Sequence, residues 1–61
     1  MKCSEALKAL KKDGWKVISQ KGSHLKLRHD EKGGIIIFPN HGSKEIGKGL
    51  QKRLFKDAGI E

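Results

Sequence analysis

Apolar and polar residues alternate from Lys21 to His29, as they do on a β-strand that has one buried face. Successive side chains of a strand point to opposite faces, so Leu25 and Leu27 share one face. The other face carries His24, Lys26 and Arg28. The pattern therefore predicts a strand that adds to the core on one side and presents an imidazole and two cations on the other.

A helical pattern precedes this strand. Its apolar stripe, at spacings i, i+3, i+4 and i+7, consists of Cys3, Ala6, Leu7 and Leu10. This spacing predicts an amphipathic helix over residues 3 to 13. We expect Ser4 to be its N-cap and Gly14 to be the left-handed residue that ends it.

Two more strands are predicted, from Trp15 to Gln20 and from Ile35 to Phe38. In the first, Trp15 and Val17 should share a face, and Pro39 should end the other strand because proline donates no hydrogen bond. Short polar segments that contain glycine connect the three strands, so an antiparallel meander is expected. The strand with three consecutive isoleucines is expected to be more covered than its neighbours.

A second helix is predicted to begin between Ile46 and Gly49 and to run to Ala58. Its apolar stripe consists of Leu50, Leu54, Phe55 and Ala58. Gly59 followed by Ile60 predicts a Schellman ending, in which Ile60 folds back against Phe55.

The predicted fold class is α+β, with the order α-β-β-β-α in one domain over residues 1–61. Each helix has one apolar stripe and the three-stranded antiparallel sheet has one convincingly apolar side. Both helices are therefore expected on one face of the sheet, with the other face in contact with water.

Charge narrows the choice of partner. Fourteen lysines and arginines against seven acidic residues give a net charge of +7, which favours a polyanion. Nucleic acid is the first candidate, because phosphates release condensed counterions on binding, and an acidic protein is the second. The apolar run from Ile35 to Phe38 is far shorter than the roughly 20 residues of a membrane span. The chain is polar from Lys2 onward and Cys3 is its only cysteine, so we expect neither a secretory signal nor a disulfide, and a cytoplasmic setting.

His24 is the best candidate for chemistry, because it follows a Gly22-Ser23 turn and precedes two cations on its own face. An imidazole can exchange a proton near neutral pH, and Lys26 and Arg28 can stabilise charge on a phosphoryl group. These groups suit RNA cleavage, with His24 as general base on a ribose 2′-OH. On pattern alone, an exposed strand with polar residues in water is the more common explanation.

The other histidines give no metal site. The chain has no Cys-x-x-Cys or His-Glu-x-x-His, and His24 and His29 are five residues apart on a strand, which sends them to opposite faces. No metal or other cofactor is expected. His29 is expected to pair with Asp30 or Glu31. His41 has two open roles, turn formation or substrate contact.

Several segments together carry a family resemblance. They are Asp13-Gly14-Trp15, Gly22-Ser23-His24, Pro39, His41-Gly42, Glu45-Ile46, Lys48-Gly49 and the closing Lys56-Asp57-Ala58-Gly59-Ile60. With them the chain resembles the HicA family of small bacterial and archaeal toxins from toxin–antitoxin pairs. It departs from the family pattern at Leu50, where many relatives have threonine, so the second helix lacks a hydroxyl at its entrance.

The resemblance implies a fold like a double-stranded-RNA-binding domain and an mRNA-cleaving activity that needs no metal. It also implies that His24 is the catalytic histidine and that a HicB-type antitoxin neutralises the toxin. The candidate RNA contacts are Lys21, Lys26, Arg28 and His41. Two alternatives from other classes stay open: a non-catalytic RNA-binding module, and an interaction domain for an acidic protein.

Overall fold

The computed structural model describes residues 1–60 and has the predicted order of elements. The elements are α1 (Cys3–Asp13), β1 (Trp15–Lys21), β2 (His24–His29), β3 (Ile35–Pro39) and α2 (Lys48–Ala58). The strands form one antiparallel sheet in the order β1-β2-β3, so β2 is central and the other two are edges. The α+β fold class, like that of a double-stranded-RNA-binding domain, is confirmed.

The core lies between the helices and one side of the sheet. Its buried apolar residues come from all five elements and from Ile46: Cys3, Ala6, Leu10, Trp15, Leu25, Leu27, Ile36, Phe38, Ile46, Leu54 and Ala58. Trp15 belongs to this set, so its ring packs in the core and is not available to stack on a base. The residues that alternate with the buried ones along β2 and β3 are exposed, which leaves the second face of the sheet open.

The edge strands differ from expectation in three respects. Lys21 ends β1 instead of opening β2, because Gly22, at φ 59°, makes the turn between them. Val17 lies opposite the buried Leu27, yet it is 38 % exposed because β1 has no outer neighbour in residues 1–60. The prediction that β3 is more covered than its neighbours is wrong with respect to β2: both strands alternate between buried and exposed residues, and Ile35 and Ile37 are each 52 % exposed on the open face.

The N-terminus of α1 is capped by backbone and not by Ser4, so that prediction is wrong. Ser4 lies inside the first turn, and its N–H donates to the carbonyl of Gly42 at 3.0 Å. The N–H of Cys3 donates to the carbonyl of Lys44 at 2.9 Å. The loop before α2 therefore satisfies N–H groups that a helix start otherwise leaves to a side-chain cap.

The second helix begins at Lys48 and ends as predicted. The N–H of Ile60 donates to the carbonyl of Phe55 at 3.0 Å and that of Gly59 to Lys56 at 3.1 Å, the two bonds of a Schellman motif. Its N-cap, Gly47, offers no side-chain bond. Leu50, assigned to the apolar stripe, is 39 % exposed and lies outside the core cluster.

His29 belongs to the core and joins three segments. Its Nε2 lies 2.8 Å from the carbonyl oxygen of Asp13, and its Nδ1 accepts the N–H groups of Glu31, at 3.1 Å, and Lys32, at 3.0 Å. Because Nδ1 accepts, the proton of the neutral ring is on Nε2. The expected pairing with an acidic side chain of the turn is wrong: the turn contributes backbone N–H groups.

Lys32 ties the two helix ends together. Its Nζ donates to the carboxylate of Asp13, to the carbonyl of Ala58 at 2.9 Å and to that of Gly59 at 3.2 Å. The hydrogen bond from Lys32 is the largest influence that lowers the pKa of Asp13 below its usual 3.8. Lys32 is one of several polar residues in a turn, so the sequence did not predict this contact.

Candidate active site

His24 opens the central strand on the open face of the sheet and is exposed. Its register partners are Lys21 on β1 and Pro39 on β3. The preceding turn is held to the segment after β3, because the N–H of Asn40 donates to the carbonyl of Ser23 at 2.6 Å. The imidazole therefore stands at one end of a three-stranded platform, with a cation beside it.

The same face carries the other predicted cations along β2. Lys26 lies between Ser19 and Ile37. Arg28 lies between Lys16 and Ile35. Alternate residues of a strand are roughly 6.6 Å apart, so His24 and these two cations form a single row down the middle of the sheet.

Lys21 reaches this face because of a β-bulge. Lys16 and Lys21 are five residues apart, and on a regular strand they would point to opposite faces. The register shift between Val17 and Ser19 adds one residue to β1, so Lys16 pairs with Arg28 and Lys21 pairs with His24. Lys16, absent from the candidates found by sequence, thus joins the open face together with Ile35 and Ile37.

Ion pairing separates the cations into two groups. Lys16 Nζ donates to Asp30 Oδ2 at 2.9 Å, and this hydrogen bond raises the pKa of Lys16 and lowers that of Asp30. In residues 1–60 no carboxylate lies within ion-pair distance of Lys21, Lys26 or Arg28. These three charges are the ones that an anion can meet without displacing an acidic partner.

His41 lies two residues beyond Pro39, the register partner of His24, and is exposed. Its backbone takes part in a turn: its carbonyl accepts the N–H of Lys44 at 3.3 Å, and the Asn40 side chain accepts the N–H of Gly42 at 3.2 Å. The main chain thus has the turn-forming role. Among the described residues, no hydrogen bond engages the imidazole, which leaves it open to substrate.

The remaining donors are dispersed. Cys3 and His29 are buried in the core, away from the open face that carries His24. Within residues 1–60, no three His, Cys, Asp or Glu side chains are grouped so that they could hold a metal ion. The residues brought together on the open face are suited to proton transfer and anion binding.

Comparison with known proteins identifies the family of this chain. The family model for the HicA toxin of bacterial toxin–antitoxin systems matches residues 3–60. The chain belongs to the HicA toxin family. It is also 41 % identical over 61 residues to a probable mRNA interferase HicA of Pseudomonas fluorescens strain Pf0-1, covering 100 % of this chain and 98 % of that protein.

The HicA match extends over every helix and strand of the structure. It confirms the resemblance that the dispersed motifs indicated. One of them, Asp13-Gly14-Trp15, surrounds His29: the carbonyl of Asp13 bonds its ring, and Trp15 meets it edge-on with ring centroids 5.3 Å apart. No helix in residues 1–60 combines the length and apolar character that crossing a membrane requires.

Proposed function

We propose that this HicA toxin is an endoribonuclease that cleaves mRNA with His24 as its catalytic base. The observation that carries the proposal is the position of His24, exposed on the central strand beside Lys21 and in line with two cations that lack acidic partners. The relative named a probable mRNA interferase supports the reaction class. The proposed setting is the cytoplasm.

The proposed reaction is an attack by a ribose 2′-oxygen on the adjacent phosphorus. His24 accepts the proton of the 2′-OH, the new O–P bond forms, and the bond from phosphorus to the 5′-oxygen of the next nucleotide breaks as that oxygen takes up a proton from water. Negative charge develops on the phosphoryl oxygens, where Lys26 and Lys21 stabilise it. The chain supplies both functions with its own side chains, so we propose that no metal is needed.

RNA binding is assigned to the same face. Lys21, Lys26 and Arg28 contact phosphates, and His41 contacts substrate from the neighbouring loop. Arginine offers a planar fork of donors to phosphate oxygens, whereas lysine acts as a point charge, so Arg28 is the contact that depends most on geometry. A HicB-type antitoxin is the proposed partner that neutralises the activity.

Substitution of His24 tests the assignment. His24→Ala should fold like the parent, because the side chain is exposed, and should cleave labelled RNA at least about 100-fold more slowly. His41→Ala is the matched control: it removes an exposed imidazole near the same end of the sheet and should weaken RNA binding with a smaller effect on the cleavage rate at saturating RNA. Undiminished cleavage by His24→Ala would refute the catalytic role. Cleavage that EDTA abolishes would refute the metal-free reaction.

A non-catalytic RNA-binding module is the second candidate. In residues 1–60 no hydrogen bond orients the His24 ring, whereas a catalytic base is commonly held by a third group. In this case the purified protein should shift labelled RNA in a salt-dependent manner and leave it intact.

A further inference from the structure

The two edges of the sheet are protected to different degrees. An exposed strand edge invites another chain to pair with it, and proteins discourage this with bulges and charged residues. The β1 edge has both, in the bulge after Val17 and in Lys16 and Lys21. The β3 edge pairs with β2 in unbroken register and carries only apolar side chains, from Ile35 to Phe38, before Pro39.

The backbone of β3 presents free groups at this edge. The N–H of Asn40 bonds the carbonyl of Ser23, and antiparallel partners alternate between bonded and non-bonded pairs. Ile36 and Phe38 therefore direct their backbone groups toward β2, while Ile35 and Ile37 direct theirs outward. No strand of residues 1–60 lies on that side to receive them.

A groove of about 360 Å³ runs along the same edge, between β3 and α2. Three consecutive residues, from Ile35 to Ile37, line it, and this lining fits a groove at the exposed edge of β3 because neighbouring side chains of a strand point to opposite faces. From α2 it is lined by the apolar Leu50 and Leu54 and by the charged Arg53 and Asp57. Leu50, which departs from the predicted core stripe, is thus an exposed apolar residue of this groove.

The positive charges beside the β3 edge indicate which kind of chain can pair with it. On the open face, Ile35 and Ile37 lie beside Arg28 and Lys26, and a fourth strand would be about 10 Å from β2, within reach of those cations. A second copy of this chain would bring another net charge of +7 to the same place. The edge therefore favours an acidic partner over self-association.

We propose that an extended segment of an acidic protein adds to β3 as a fourth strand, with apolar side chains in the groove and acidic side chains alternating on the open face. The backbone groups of Ile35 and Ile37 supply the hydrogen bonds, and the alternation supplies specificity. This deepens the antitoxin part of the proposed function and rests on it for the identity of the partner.

The test uses the full chain and a blocked peptide of alternating valine and glutamate, long enough to span β3. Amide NMR should show binding, with the amide protons of Ile35 and Ile37 newly protected from exchange. A peptide of alternating valine and lysine should bind at least about tenfold more weakly. The N–H of Ile37 points outward and makes no hydrogen bond to β2, so Ile37→Pro removes it without breaking the sheet and should weaken peptide binding about tenfold. Ile37→Ala keeps that N–H and should bind the peptide more tightly than Ile37→Pro.

Leu50→Asn should also weaken binding, while Ile18→Asn, which changes an exposed isoleucine of the opposite edge, should not. Four results would each overturn the proposal. Two concern affinity: no binding of the valine–glutamate peptide, or equal binding of the two peptides. Two concern the amides protected from exchange: protection at β1, or protection of Ile35 and Ile37 by a dimer of the chain alone. His24→Ala should bind the peptide normally, so failure of the catalytic assignment and failure of the β3 site give different results.

Discussion

A side chain at position 14 would collide with His29. A β-carbon built on Gly14 would lie 2.7 Å from Nε2 of His29, closer than real contacts allow. Gly14 also has a φ of 114°, in the range that favours glycine. The glycine that ends α1 thus lets the chain pass over the buried imidazole, whose Nε2 bonds the carbonyl of the preceding Asp13.

We predict that Gly14→Ala destabilises the fold more than Gly22→Ala. Gly22 also has positive φ, 59°, but no other group lies within 4 Å of the position that a β-carbon would take there, so alanine adds only backbone strain of about 1–2 kcal/mol. Gly14→Ala adds the collision with His29 and should cost at least about 1 kcal/mol more. Urea unfolding of both variants measures the difference, and equal losses would contradict the role of His29.

His29→Phe should separate stability from activity. The variant keeps an aromatic ring in the core but leaves the N–H groups of Glu31 and Lys32 without their acceptor, which should cost about 1–3 kcal/mol. Cleavage per folded molecule should stay close to that of the parent, the opposite of the His24→Ala result. A large loss of cleavage at a temperature where His29→Phe is fully folded would show that the core histidine acts on the open face.

Acid should weaken the fold through Asp13. Its pKa in the folded protein is lowered, chiefly by the hydrogen bond from Lys32, so the unfolded chain takes up a proton first as the pH falls. The stabilisation is complete above the unfolded value near 3.8 and is lost as the pH falls through the folded pKa.

Replacing Lys32 tests this linkage. Lys32→Met should be less stable than the parent near neutral pH and should lose less stability on acidification, measured by urea unfolding down to about pH 2. Lys12→Met is the control, since it removes an exposed lysine of α1 that has no ion pair in residues 1–60. If Lys12→Met reduces the loss of stability on acidification as much as Lys32→Met does, the reduction comes from net charge and not from the contact with Asp13.

RNA affinity should depend on Lys26 more than on Lys16. Lys26→Ala removes a proposed phosphate contact and should reduce the slope of log affinity against log salt by about 0.7 for single-stranded RNA. Lys16→Ala should change it less, because Lys16 is bonded to Asp30 and must leave that partner to meet a phosphate. Titrations of labelled RNA at several salt concentrations provide both slopes. Equal slope changes would show that the pairing with Asp30 does not hold Lys16 back.

Local pattern was sufficient for much of the fold. Alternation placed Leu25 and Leu27 in the core and separated His24 from His29, because the geometry of a strand alone decides which side each residue takes. The glycines after both helices were also readable, since a left-handed residue is a local requirement. The combination of motifs from Asp13 to Ile60 was specific enough to indicate the HicA family.

Other features depended on segments that are distant in the chain. The N–H groups at the start of α1 bond the carbonyls of Gly42 and Lys44, which the sequence around Ser4 does not reveal. The ring of His29 bonds the carbonyl of Asp13 at the end of α1, which the sequence around Asp30 does not reveal. The strand order, which left β3 at an edge beside the groove that Leu50 lines, was likewise not visible in the local pattern.

Periodicity and motif spacing are local properties, so the elements, the two faces of β2 and the family could all be predicted from the sequence. Which cations of β1 join Lys26 and Arg28 on the open face depended on tertiary structure. The bulge in β1 brings Lys21 to the same side as Lys16, and the contact with Asp30 then pairs one charge and leaves the other available. An inserted residue reverses the alternation beyond it, and only the pairing with β2 shows where it lies.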